Sequence, residues 1–210
     1  MPAWTYYGPP VCRYRDEKGR FVAEATIRDW GETSRHSALE EALEGVKNLP
    51  PRELETLLRA LIKGEVIRQY LLGIGGKHSL TQADYGRMGG IIADQYRYLS
   101  EMIAKYENGE YTSARVAALV GMYINSTREA FERANAIAHG LPNMPAYPGD
   151  GGTPCLTNCK CHWQYEWNRI KQVWECTWTL TAAEHCSGCE DHAAEWSPLL
   201  VTPEGEFVND

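Results

Sequence analysis

Six of the seven cysteines and five of the seven tryptophans fall between Cys155 and Trp196, in a chain of 210 residues. The cysteines form two groups, Pro154-Cys155-Leu156-Thr157-Asn158-Cys159-Lys160-Cys161-His162-Trp163 and, further on, His185-Cys186-Ser187-Gly188-Cys189. Two thiolates spaced as Cys186 and Cys189 can turn toward one ion, with Ser187-Gly188 permitting the tight knuckle between them. A second cysteine group upstream completes a tetrahedral four-thiolate zinc site of ribbon type. Cys155, Cys159 and Cys161 compete for the two remaining places, and Cys155 with either Cys159 or Cys161 leaves a loop long enough for an opposing knuckle. His162, His185 and His192 are reserve ligands. Disulfides and plain buried thiols are the alternatives, and iron would also accept four thiolates.

Composition narrows the class. A hydrophobic fraction of 43% with 23% charged residues is that of a globular chain, sized for one domain or one domain with a small appendage. The first ten residues carry no basic segment followed by an apolar run, and about 18 consecutive apolar residues occur nowhere, so neither a secretory signal nor a membrane span is expected. A reducing compartment follows as the expectation, which favours metal over disulfides and leaves Cys12 as a lone thiol. The net charge of −7 and a pI near 5.4 argue against a broad surface for duplex DNA. Arg13-Tyr14-Arg15 and Lys18-Gly19-Arg20 read as a solvated loop.

Along the chain, residues 1–32 read as an extended arm, rich in proline (Pro2, Pro9, Pro10) and aromatics (Trp4, Tyr6, Tyr7), docked on a neighbour or on its own helices. A short hairpin spans Tyr14 to Val22, with its bend at Lys18-Gly19. A helical domain occupies 33–141. Its first helix is capped by Thr33 or Ser34 and carries Leu39, Ala42, Leu43 and Val46 on one face; its second starts at Pro51 with Leu54, Leu57, Leu58, Leu61, Ile62 and Val66. Gly73 to Ser79 breaks the run. Gly76-Lys77 lacks the preceding glycine, the following hydroxyl and the preceding strand that a phosphate loop requires.

A long helix is expected from Thr81 to Tyr106, burying Tyr85, Met88, Ile92, Leu99, Met102, Ile103 and Tyr106, with Gly86, Gly89 and Gly90 open to close approach by another helix. One further helix, Ser113 to His139, completes a long α-hairpin and stops at Gly140-Leu141-Pro142. Asn125-Ser126-Thr127 matches a glycosylation acceptor by accident, inside a helix.

Residues 142–197 form the cysteine-rich module. Cys161, Trp163, Tyr165 and Trp167 alternate with polar residues, as do Trp174, Cys176, Trp178 and Leu180, which is the pattern of a β-hairpin with a tryptophan face. Cys176 belongs to that face and is left out of the metal set. The face can stack on single-stranded bases or, more in keeping with a small module that needs a core, pack around the metal and onto the helices. Residues 198–210 read as an acidic tail, loose or lying across a neighbour. The fold class is therefore mainly α, a helical body with a small C-terminal zinc-binding β-hairpin module.

The order of Tyr14-Arg15-Asp16 with Gly19-Arg20-Phe21-Val22, Thr81-Gln82-Ala83-Asp84-Tyr85-Gly86-Arg87, Gln95-Tyr96-Arg97-Tyr98-Leu99, Cys155-Leu156-Thr157-Asn158-Cys159-Lys160-Cys161 and Ala183-Glu184-His185-Cys186-Ser187-Gly188-Cys189 resembles the minor head, or head morphogenesis, proteins of tailed phages. The resemblance spans nearly the whole chain and is strongest in the cysteine motifs, although the His-Cys-x-x-Cys element here follows the Asn-Cys-Lys-Cys element instead of preceding it. It implies a minor capsid protein of the virion or prohead, assembled in the host bacterial cytoplasm, present in several copies or self-associating, with capsid or portal proteins as partners and neither membrane nor nucleic acid as its main ligand. The positions carried over as metal ligands are Cys155, Cys159, Cys161, Cys186 and Cys189, holding one structural Zn2+ per chain.

Enzymatic readings meet less support in the residues. A zinc hydrolase needs a His-Glu-x-x-His element, and a base deaminase needs His-x-Glu ahead of Pro-Cys-x-x-Cys; neither is present. Glu184-His185 and Asp191-His192 are the pairs available for acid–base work. A zinc-dependent nucleic-acid adaptor, with Trp163, Trp167, Trp174 and Trp178 as its platform, is the remaining alternative.

Overall fold

The computed structural model describes residues 4–181 and 185–208. It is mainly helical with two small antiparallel sheets. Strands β1 (Trp4–Tyr7), β2 (Arg13–Asp16) and β3 (Phe21–Val22) form the first sheet. Helices α1 (Glu24–Asn48), α2 (Pro51–Ile74), α3 (Gln82–Glu107), α4 (Ser113–Ser126) and α5 (Arg128–Ala138) form the body. Strands β4 (His162–Asn168) and β5 (Val173–Thr179), helix α6 (Ser187–Glu195), and strands β6 (Leu199–Val201) and β7 (Phe207–Val208) complete the chain.

Helix α2 is the central element of the body, touching α1, α3, α4 and α5. Its stripe of Leu54, Leu58, Ile62, Val66 and Tyr70 is buried among Ala42 and Val46 of α1, Leu99 and Met102 of α3, and Val116, Val120 and Ile124 of α4. Local chemistry sets its ends. Pro51 occupies the first turn, where its missing N–H costs nothing, and Gly75 turns left-handed at φ +93° so that its N–H and that of Gly76 return to the Leu71 carbonyl. The Gly-Lys segment is thus a helix stop. Thr81 then caps α3 in a reciprocal box with Asp84, whose carboxylate also accepts from the buried Tyr70 hydroxyl at 2.6 Å. Where α5 crosses α2, Gly73 is indispensable, because a Cβ there would run into the backbone of Phe131 and Asn135.

Several expectations need correction. Helix α1 starts at Glu24, inside the stretch assigned to the arm, because the last of the prolines stands at Pro10 and Glu24 and Arg28 pair one turn apart at 2.7 Å. Ser34 lies within that helix and donates to Glu65 instead of capping. The arm itself is a sheet laid on the chain's own helices, with Trp4 and Tyr14 buried against Ile27, Leu72 and Phe131. The hairpin bend at Gly19, φ +75°, is as expected.

The helix expected over 113–139 is two helices. Ser126 and Thr127 turn their hydroxyls back onto the carbonyls of Tyr123 and Ile124, both at 2.7 Å, in competition with the helical ladder. Tyr85 is exposed, and nothing lies within 4 Å of a Cβ built on Gly86, Gly89 or Gly90, so among the described residues no helix packs closely on those glycines.

The residues assigned to a tail form β6 and β7, which extend the hairpin into a sheet of order β4-β5-β6-β7; Trp174 pairs with Val201 and Val201 with Phe207. The apolar triplet Leu199-Leu200-Val201, followed by a turn at Gly205, carried that signal. The tryptophan face is buried: Trp163, Trp174 and Trp178 pack with Trp196, Leu141, Met144 and Tyr147. Trp163 meets Trp178 edge-on at 5.3 Å and stacks on Trp196 at 5.2 Å, contacts worth roughly 1 kcal/mol each beyond burial. These three rings are taken up in packing within the module, while Trp167 is partly buried beside them.

His139 joins the two sheets. Its Nδ1 donates to the Asn135 carbonyl at 2.8 Å, its Nε2 lies 3.3 Å from the Tyr14 hydroxyl, which donates to Asn135 Oδ1 at 3.0 Å, and its ring packs at a tilt between Tyr6 and Tyr165. Burial pushes its pKa down to about 4. The unfolded chain therefore takes up a proton near pH 6.5 that the native chain refuses, and native stability falls as pH drops from 6.5 toward 4. Chemical denaturation across that window should show a His139→Gln variant losing up to about 3 kcal/mol less than the parent; parallel curves would sink this assignment.

Candidate metal centre

Each cysteine group is positioned by a different element. Cys155 enters a short 3-10 turn, Leu156–Asn158, and Leu156 adopts φ +52° to complete it. Cys159 and Cys161 follow on the extended segment leading into β4, where residues two apart project to the same side. Cys186 stands at the N-cap of α6 and Cys189 in its first turn, with the Cys189 N–H returning to the Cys186 carbonyl at 3.0 Å. The need for Gly188 in this knuckle is steric. A Cβ there would lie 2.9 Å from Pro154 Cδ, so glycine lets the two cysteine groups close on each other.

The five expected thiols meet. Cys155, Cys186 and Cys189 have their Sγ atoms within 4.8 Å of one another, and so do Cys159, Cys161 and Cys189. Cys189 belongs to both sets, 3.7 Å from Cys155 Sγ and 3.5 Å from Cys159 Sγ. Among the described residues these are the sets of His, Cys, Asp and Glu close enough to hold a metal ion. All seven cysteines are free thiols, and the contacts are far longer than a sulfur–sulfur bond of about 2.05 Å. Cys176 lies in the sheet core, its thiol pushed up to about 12 by burial, and Cys12 stands in the β1–β2 turn; neither joins the cluster.

Crowded thiols cannot all ionise unaided. Burial pushes Cys159 up to about 12 and, with Cys159 and Cys186 as close neighbours, raises Cys189 well above the ordinary thiol. Cys186 moves the other way, to about 7: burial would raise it, but the backbone N–H groups of Cys189 and Cys155 outweigh that. A bound cation reverses this balance and holds such thiols as thiolates.

Of the reserve ligands, His185 lines the cysteine cavity, together with Asn158, Lys160 and Thr181. His162 faces a neighbouring cleft with Arg28 and Arg128, and His192 stacks on Trp196 at 4.2 Å. Glu184 lies outside the described residues, and with it the Glu184-His185 pair. Asp191 is exposed beside a histidine occupied by tryptophans.

The residues that tie this cluster to the body were not singled out from the sequence. Arg128, the first residue of α5, donates to the carbonyls of Cys159 (3.0 Å), Lys160 (3.2 Å) and Cys161 (2.9 Å). Arg28 of α1 donates to the Trp163 carbonyl at 3.3 Å. Both guanidinium groups pair with Glu132, which is fully buried. Burial alone would raise the Glu132 pKa, but Arg28 first and Arg128 second outweigh it and hold the carboxyl below its ordinary value. The signal was there in retrospect: Arg128, Glu132, Asn135 and His139 recur at helical spacing, a polar stripe that reads as a solvated face yet is buried.

The fold and site together define a mainly helical protein with a cysteine cluster able to hold a metal ion, and among the described residues no helix is long and apolar enough to cross a membrane. No family model, curated protein or solved structure matches the chain at a significant level.

Removing the carboxylate would take the fully buried partner from both guanidinium groups, leaving Arg28 with Glu24 and Arg128 with the more distant, exposed Glu32 at 3.7 Å. Glu132→Ala should cost about 3–5 kcal/mol of unfolding free energy, measured by urea denaturation. A loss below 1 kcal/mol would show that the clamp is dispensable.

Proposed function

We propose that this chain is a non-catalytic structural component of a bacteriophage head, in which a zinc–thiolate centre replaces a core too small to form alone. The observation that carries the reading is the convergence of five thiols from two distant segments onto one point, braced from behind by Arg128. Zinc suits a thiolate-rich donor set and contributes folding free energy there. The phage assignment rests on the order of the motifs, those of a minor capsid or head morphogenesis protein. On that reading the partners are capsid or portal proteins, the protein is present in several copies, and its place is the virion. The acidic net charge and the inward tryptophans favour protein partners over nucleic acid.

Two experiments test the two halves. Chelation, or Cys186→Ser, should abolish tryptophan fluorescence of the buried type and unfold the C-terminal sheet while the helical circular dichroism largely persists; Cys176→Ser should keep its metal. Metal-free protein with the fold intact would overturn the structural role. Purified protein should co-sediment with proheads or portal rings of the phage or prophage that encodes it, and a chain left wholly in the supernatant would overturn the head assignment.

A further inference from the structure

The sequence suggests one zinc in four of five thiolates. The geometry points to two: we propose that the cluster binds a pair of divalent d10 ions, zinc in the first place, bridged by the Cys189 thiolate, with Cys155 and Cys186 as terminal ligands of one ion and Cys159 and Cys161 of the other. This rests on the reading of the cluster as a zinc centre.

The distances carry the argument. Around one tetrahedral zinc with bonds of about 2.3 Å, every pair of sulfurs is about 3.8 Å apart. Four thiols serving one ion would therefore all lie within 4.8 Å of one another, and no fourth thiol joins either set at that spacing. The thiols fall instead into two triangles that share one corner, Cys189. A thiolate at such a corner has lone pairs for two ions. Two tetrahedra sharing a vertex need seven donors, of which five are the thiolates. His185 lines the same cavity of about 360 Å³ but lies outside both triangles, so the two remaining places fall to water, or to His185 on turning inward. Thr181 lines it as well, and its buried hydroxyl oxygen has no hydrogen-bond partner among the described residues, one that a metal-bound water would supply.

Charge agrees with this count. One divalent ion on four thiolates leaves two negative charges and a fifth, neutral thiol in a site where Cys159, Cys161 and Cys189 are buried. Two ions leave one, and Lys160, which lines the cavity, is at hand to balance it.

The test is metal content and electronic coupling in the full-length protein. Native mass spectrometry and elemental analysis of freshly purified protein should give two zinc ions per chain. Replacement by cobalt(II) should give two ions with intense sulfur-to-metal charge-transfer absorption and a low-temperature magnetic moment reduced by coupling through the shared sulfur. One ion per chain would overturn the bridge and leave the zinc centre standing. Two magnetically independent cobalt ions would place the second ion elsewhere and overturn it too. No ion at all would overturn the zinc centre itself.

Discussion

Glu132 has no exposed side-chain surface, and two guanidinium groups are aimed at it from different helices. A buried carboxylate is costly to desolvate, and a single partner rarely offsets that cost. Here each partner does further work: Arg28 and Arg128 spend their remaining N–H groups on backbone carbonyls of Trp163 and of the Cys159–Cys161 loop. The carboxylate orients the arginines, the arginines orient the loop, and the loop presents two sulfurs to the opposite side. The position of the cysteine cluster relative to the body is thus set by residues other than cysteine.

That arrangement depends on the interruption at Thr127. A single straight helix from Ser113 onward would carry Arg128 along the direction of α4, whose end at Asn125 already meets Asn158 of the module, and not along α2. The break starts α5 afresh along α2, where Gly73 admits it closely, and puts Arg128 in its first turn beside the cysteine loop. The same helix carries Asn135 and His139, which receive Tyr14 from the first sheet. One buried polar stripe on α5 therefore addresses both sheets at once. Such a stripe is tolerable because its polar groups find partners, which is the condition for burying any of them.

Local chemistry was legible where it acts alone. Pro51, Gly75, Thr81 with Asp84, and the alternation of Trp163 to Trp167 with Trp174 to Trp178 mark their elements without reference to anything distant. The five cysteines were legible as a set because thiols at such spacing have few other uses. What escaped were features decided by tertiary partners. Glu24 to Thr33 lacks a strong cap and becomes helix by packing Ile27 beside Trp4. The Leu199-Leu200-Val201 triplet becomes strand because β5 offers it an edge. Gly86, Gly89 and Gly90 promised a close helix contact that this chain does not make. The Arg128 to His139 stripe carries the spacing of a surface face, and its burial appears only once the module is set against it.

The placement of β6 has a consequence for the order of synthesis. Residues 24–138 contain every element of the body, so Glu132 can meet Arg28 as soon as α5 has left the ribosome. Arg128 must wait for the carbonyls of residues 159–161, and the inner face of β5 waits longer, because Val201 pairs beside Trp174 and is buried with it. During that interval several tryptophans and free thiols stand uncovered on a nascent chain whose helical half is already folded. This is the period in which oxidants and hydrophobic self-association compete with the native fold.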